Sequence, residues 1–184
     1  MTNRMKVIIE TPRLILREMT QDDFSALYAV LADSDIMCHY PYTFDDNRVR
    51  NWINCNIERY NTFGFGLWAV CLKDSGEMIG DCGLTMQNIN GSIKPEIGYH
   101  IRADKQRMGY AKEAAVAVSD WAFENTPFNR IFSYMKSTNL PSLKTAVTSC
   151  VSSSTARTKV HRCTKSHGRN GKRSDGKFCL YYCG

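Results

Sequence analysis

Hydrophobic positions along the chain change period several times, and each change marks an element. Residues 13–19, "RLILREM", read as a strand. Thr20 then offers an N-cap with Asp23 three residues on, and Phe24, Leu27, Tyr28 and Leu31 follow at helical spacing. A second helical stripe, Val49, Trp52, Ile53, Ile57 and Tyr60, predicts a helix over about 45–60. The period then shortens. "FGLWAVCL" (65–72) reads as a strand closed by the turn residues of "KDSGE", and "MIGDCGLTMQNI" (78–89) is its hairpin partner. Asn90-Gly91 is a turn signal, after which "EIGYHI" (96–101) returns as the next strand. A helix over about 109–125 places Ala111, Ala114, Ala115, Val118 and Ala122 on its inner face, and small residues there let it sit close to a sheet. "RIFSYMKS" (130–137) is a further strand, and "NLPSLKTA" opens a further helix at Asn139. The order is strand, two helices, a three-strand meander, helix, strand, helix, with no internal repeat within 1–146.

Length and composition add limits. The 184 residues suit one domain with a sizeable core. No window approaches about 18 consecutive apolar residues, so no spanning helix is expected. The first residues, "MTNRMKVIIETPRLILRE", lack the apolar core and cleavage site of a signal peptide, which makes a cytoplasmic location the default. Cys38, Cys55, Cys71 and Cys82 fall in segments read as core and are expected to be buried free thiols. The net charge of +6 is unevenly spread. Residues 147–184 carry eight Lys and Arg and one acidic residue, Asp175, which leaves 16 basic and 17 acidic residues in 1–146. The body is nearly neutral, and its charge does not ask for nucleic acid as a partner.

The chemistry is concentrated in "IRADKQRMGYAKEAA" (101–115). A strand ends near Ile101, a loop turns, and a helix starts near Gly109. The first turn of a helix holds amide N–H groups without internal partners, at the positive end of the macrodipole, where a phosphate is favoured. Glycine at 109 lets an anion approach the main chain with no Cβ in the way. Lys105 and Arg107 add positive charge, and Ala111 keeps the next turn small.

The pattern Gln106-x-x-Gly109-x-Ala111 resembles the Q/R-x-x-G-x-G/A signature of the GNAT superfamily of acyl-CoA N-acyltransferases. The run "EIGYHIRADKQRMGYAKEAA" resembles the RimJ/RimL branch, which contains ribosomal-protein N-terminal acetyltransferases. Gln106 and Arg107 stand where that branch usually has Trp and Gly, and Lys112 where it has Thr. "ETPRLILREMTQDDFSALYAVLAD", "GEMIGDCGL" and "STNLPSLKTA" resemble other segments of the branch, so the resemblance covers about residues 10–146.

That resemblance implies an α+β protein of the layered α/β/α GNAT kind: a mixed, mostly antiparallel central sheet flanked by helices. It implies acetyl-CoA as co-substrate, a primary amine as acceptor and no metal; a homodimer stays open. The pantetheine arm would pair with the strand at 96–101, with main-chain contacts from Ile101 and Arg102. The pyrophosphate would meet the amides from Arg107 through Met108, Gly109 and Tyr110 to Ala111, with Gln106 opening the signature. Asn139 and Ser142 match the family's Asn-x-x-Ser, which contacts the pantetheine and pyrophosphate region; read on their own, they are an N-cap and a first-turn residue. Glu96 is the candidate general base, since a bound ammonium must lose a proton before it attacks. Asp81 is the alternative base. His100 stands where the branch usually has Trp and is expected to pack, as is Tyr99. The aromatic stretch "IMCHYPYTF" (36–44) falls in the family's variable acceptor region.

The end of the chain departs from this pattern. "VTSCVSSSTARTKVHRCTKSHGRNGKRSDGKFCLYYCG" (147–184) has no helical stripe and no strand alternation except near its end. Back-translation of 155–176, read one base out of frame, yields Met-Tyr-Glu-Val-Thr-Arg-Glu-Glu-Trp, which resembles the family's last strand. A frameshift close to Ala146 is therefore expected. The domain would span 10–146 with its last strands missing, followed by an aberrant, basic and disordered tail at 147–184. A nucleic-acid-binding tail, or a zinc site drawn from His161, Cys163, His167, Cys179 and Cys183, are the other readings of that segment.

Overall fold

A computed structural model of the chain describes residues 6–89, 91–152 and 178–183. The elements in chain order are β1 (Val7–Glu10), β2 (Leu14–Arg17), a short 3-10 turn (Gln21–Asp23), α1 (Phe24–Leu31), α2 (Asp46–Phe63), β3 (Leu67–Leu72), β4 (Met78–Ile89) and β5 (Ser92–Ile101). A second 3-10 turn (Ala103–Lys105), α3 (Tyr110–Asn125), β6 (Ile131–Lys136), α4 (Leu140–Ser152) and β7 (Phe178–Cys183) complete them. The strands hydrogen-bond in sequence order from β1 to β7. Pairing is antiparallel from β1 through β4 and between β6 and β7, and parallel between β5 and β6. Helices accompany a mixed, mostly antiparallel sheet, as the sequence predicts.

The chain forms two compact units. One comprises the residues up to Gly83 together with Tyr99–Ala114. In it β2 pairs with β3 from Leu14 opposite Leu72 to Arg17 opposite Ala69, and β3 with β4 from Leu67 opposite Gly83 to Cys71 opposite Met78. Leu14, Leu16, Leu27, Leu31, Ile53 and Trp68 are completely buried there. Arg17 and Asp23 form a buried two-pronged ion pair at 2.8 and 2.6 Å, and the same carboxylate accepts from the Thr20 N–H at 2.8 Å. The end of β2 is thereby locked to the start of the first helical segment. α2 is held by a residue its apolar stripe does not reveal. Asn56 is fully buried, accepts from the Leu67 N–H at 2.9 Å and donates to the Trp52 carbonyl at 2.9 Å. The Tyr60 hydroxyl donates to the Leu67 carbonyl, and burial raises its pKa above the ordinary phenol value.

The second unit comprises Leu84–Gly98 with the chain from Ala115. There β5 and β6 run parallel, and among the described residues their pairing places Glu96 opposite Phe132. Met135 and Ala146 form one buried cluster with Leu143 and Val147 against it; Ile89, Tyr134 and Phe132 form another. Two expectations need correction here. The helix opened at Asn139 continues past Ala146 to Ser152, because the Thr and Ser residues that follow are neutral enough in a helix for its packed first half to carry it on. The sheet, expected to lack its last strands, continues past β6: β7 pairs antiparallel along the whole of it, from Ile131 opposite Cys183 to Lys136 opposite Phe178. A strand ladder is made by main-chain groups, and "FCLYYC" has the aromatic and apolar content that favours one. This strand lies near the end of the chain, in the one part of 147–184 where the sequence shows strand alternation. The disorder expected of the tail, and its His161, Cys163 and His167, lie outside the described residues. A further correction concerns thiols. Cys71 and Cys82 are buried, but Cys38 and Cys55 are exposed, Cys38 in the α1–α2 connection and Cys55 on the outer face of α2.

Candidate active site

The first half of the loop between β5 and α3 is tied down by main-chain and side-chain contacts. The Arg102 N–H donates to the Ile79 carbonyl at 2.9 Å, and the Arg102 carbonyl accepts from the Lys105 N–H at 2.9 Å. The Gln106 side-chain amide donates to the Ile101 carbonyl at 2.9 Å, which fastens the loop back to the strand end. Arg107 (φ 62°) and Gly109 (φ 86°) both lie in the left-handed region. That conformation is costly for arginine and persists where surrounding contacts over-determine it. Gly109 is the N-cap of α3, since its carbonyl accepts from the Glu113 N–H at 3.0 Å. The main-chain N–H groups from Arg107 to Lys112 have no hydrogen-bond partner among the described residues. Successive unpaired N–H groups beside left-handed residues at the start of a 16-residue helix make an anion seat. A Cβ at Gly109 would stand 3.3 Å from the Arg13 guanidinium. The loop thus fits a diphosphate. Arg107 and Lys112 have no ion-pair partner among the described residues, whereas Lys105 is drawn 3.2 Å from Glu77.

A clamp not visible in the signature holds this loop. The Glu113 carboxylate, one turn into α3, accepts from the Thr11 hydroxyl at 2.6 Å, the Arg13 N–H at 3.0 Å and Arg13 Nε at 2.7 Å. Arg13 Nη1 donates to the Met108 carbonyl at 3.0 Å, and its guanidinium lies 4.6 Å over the Tyr110 ring. Burial alone would raise the pKa of Glu113, but the Thr11 and Arg13 hydrogen bonds outweigh it and hold the pKa below the ordinary value. A carboxylate in the first turn would repel a diphosphate; here its charge is turned onto Arg13. The two residues are 100 apart in sequence, so spacing gave no signal for the pair.

Farther along the same unit, a polar cluster sits among aromatic rings. Asp81 on β4 is fully buried. One of its oxygens accepts from Trp52 Nε1 at 2.8 Å, and the other lies 2.7 Å from His100 Nδ1. His100 Nε2 is 3.0 Å from the Tyr40 hydroxyl. The His100 ring meets those of Tyr40 and Trp52 with centroids 5.8 and 5.6 Å apart, and Phe44 closes on Tyr40 and Trp52 at 5.6 and 5.7 Å. Tyr40 and Phe44 also wall a cavity of about 300 Å³, whose other lining includes Leu31, Met37 and Tyr42. Glycine at 80 is required beside this cluster, since a Cβ there would strike the His100 carbonyl.

In the second unit, Glu96 is 4% exposed, and its carboxylate accepts from the Tyr134 N–H at 3.3 Å. Asn139 caps α4, its side-chain oxygen accepting from the Ser142 N–H at 3.2 Å. Residues Gln106 to Ala111, with Ile101 and Arg102, are gathered in the first unit, and Glu96, Asn139 and Ser142 in the second.

A mixed sheet with this strand order, with a run of unpaired amides at a glycine N-cap after its fifth strand, is the architecture of solved acetyltransferases. The sequence profile described as acetyltransferase (GNAT) domain matches residues 13–148, and the chain belongs to that family. It is 32% identical over 142 residues to the uncharacterized protein YkkB of Bacillus subtilis, covering 77% of this chain and 83% of that one. It is 30% identical over 137 residues to the uncharacterized N-acetyltransferase YnaD of the same organism, covering 74% and 77%. Among solved structures, a GNAT-family acetyltransferase from Bacillus anthracis aligns with a TM-score of 0.74 at 22% identity, over 95% of this chain and 96% of the other. RimL, the ribosomal L7/L12 alpha-N-protein acetyltransferase, in complex with coenzyme A aligns with a TM-score of 0.71 at 16% identity, over 96% and 97%. At these identities the two structures bear on the fold.

Proposed function

We propose that this protein transfers the acetyl group of acetyl-CoA to a primary amine, either a protein N-terminus or a small amine. The observation that carries the reading is the run of unpartnered amides from Arg107 to Lys112 around the left-handed Gly109. These groups would hold the pyrophosphate, with Arg107 and Lys112 adding charge. Gln106 would keep the loop on the strand end. Asn139 and Ser142 match the family's Asn-x-x-Ser by sequence, and the cap between them is in place. An acyl thioester supplies the activated acetyl group. The protein's own share is to orient it, to polarise its carbonyl with a main-chain N–H of β5, and to bring a neutral amine into line.

Titration calorimetry with coenzyme A, followed by a screen of acetyl-CoA turnover against serine- and alanine-initiated peptides, spermidine and benzylamine, tests this. Saturable binding with acetylation of at least one amine is expected. Absence of coenzyme A binding would overturn the assignment of the site. Binding without acetylation of any amine would leave a cofactor-binding remnant of the family instead.

A further inference from the structure

We propose that Tyr40, His100 and Asp81 form the proton-accepting chain for the acceptor amine, with the cavity behind Tyr40 and Phe44 as the place the amine enters. The inference rests on the acetyl-transfer reading above and names its proton route.

Hydrogen-bond roles fix the direction of the chain. Asp81 Oδ1 lies 2.7 Å from His100 Nδ1, and the relay uses the tautomer in which Nδ1 donates to that oxygen. The other Asp81 oxygen is held by Trp52 Nε1 at 2.8 Å, so the carboxylate cannot rotate away. His100 Nε2 then presents its lone pair to the Tyr40 hydroxyl at 3.0 Å. Tyr40 lines the cavity, whereas the His100 side chain is 11% exposed and Asp81 wholly buried. The three groups run from half-buried Tyr40, at the cavity wall, to a buried carboxylate that stabilises an imidazolium.

Packing alone does not ask for this arrangement. A plain aromatic residue in place of His100 would fill the space beside the Tyr40 and Trp52 rings, and Asp81 would then be needed only by Trp52 Nε1. His100 is moreover at the end of β5, two residues from the start of the anion loop's fastening at Arg102.

The step balances as follows. The bound ammonium gives one proton to the Tyr40 oxygen as the Tyr40 proton passes to His100 Nε2, which leaves a neutral amine. The amine nitrogen forms its bond to the acetyl carbon, and the carbon–sulfur bond breaks. The second nitrogen proton leaves with the thiolate as coenzyme A thiol, and the imidazolium releases the first to solvent. Tyr40 touches the amine; His100 and Asp81 act through it as positioning and proton-holding residues.

The test uses the 184-residue chain and, in parallel, the chain with its frame restored after Ala146, with radiolabelled acetyl-CoA and the same four amines as probes. His100→Gln is expected to lower kcat/KM by about 100-fold or more, mainly through kcat, while coenzyme A affinity stays within about twofold of the parent. Tyr40→Phe, at a half-exposed position, is expected to lower kcat without a fall in melting temperature. The acidic limb of the pH–rate profile should vanish in His100→Gln. Added imidazole should restore part of the rate to His100→Ala. A structural role alone would move the melting temperature and leave the pH limb and the imidazole response unchanged; that result overturns the proposal. So does a limb that disappears in Glu96→Gln and persists in His100→Gln. Failure of both parent chains to acetylate any of the amines overturns the acetyl-transfer reading, and the relay with it. Equal rates in parent and His100→Gln overturn the relay alone.

Discussion

Gly109 is the residue on which the anion seat turns. Its φ of 86° is one an L-residue reaches only at a cost of roughly 1–2 kcal/mol, and a methyl group there would press on Arg13. Gly109→Ala is expected to weaken coenzyme A binding about tenfold, measured by calorimetry, and to lower the unfolding temperature by roughly 2–8 °C. Glu113 gives a test of a different kind. Its folded pKa is depressed, so the stability it contributes is present above the ordinary glutamate value and is lost as pH falls through the folded value. Glu113→Gln should therefore be less stable than the parent near neutral pH, and the gap in denaturant midpoint should close below about pH 4. Persistence of the gap at pH 3 would count against the clamp. The Gln106-Gly109-Ala111 signature was legible in the sequence because it is local. The partners of Glu113 and His100 were not, because Arg13, Asp81 and Tyr40 lie 100, 19 and 60 residues away. For the same reason packing was all that could be expected of His100.

At the scale of elements, apolar periodicity placed α2, β3, β4, α3 and β6 to within a few residues. It missed β1, which is only four residues long and whose "VIIE" merges with the polar positions around it. It also missed why α2 docks where it does. The stripe of Val49, Ile53 and Tyr60 buries one face, but Asn56 fixes the register by satisfying the Leu67 N–H at the mouth of β3. Asn56→Leu would leave that buried donor unpaired. A loss of about 1–3 kcal/mol is expected in chemical unfolding, with no local loss of apolar burial to explain it. The Arg17–Asp23 pair is a stronger case. Removing one partner of a buried ion pair typically costs about 3–5 kcal/mol, so Asp23→Ala should unfold at much lower denaturant than any surface variant of α1.

At the scale of the molecule, the question is the end of the chain. Helix α4 crosses residue 146 without interruption, and β7 lies along β6. Composition in 147–184 does not report a helix carried forward by its packed first half, and the strand alternation near its end did not name β6 as its partner. The frameshift reading still predicts a measurable difference: the frame-restored chain should turn over acetyl-CoA faster than the 184-residue chain and melt higher. Equal rates and equal melting would show that the ending as written completes the domain. Deleting 178–184 should expose the β6 edge and promote self-association, visible as a concentration-dependent shift in sedimentation.

The β6–β7 ladder has one more consequence. Its six register pairs join peptide groups, and peptide groups carry no record of which codons specified them. A short synthetic segment with family-like spelling, supplied from outside, would compete for the same row of donors and acceptors. Displacement of β7 by such a segment would show that the main-chain ladder, rather than the spelling of the strand, holds that position.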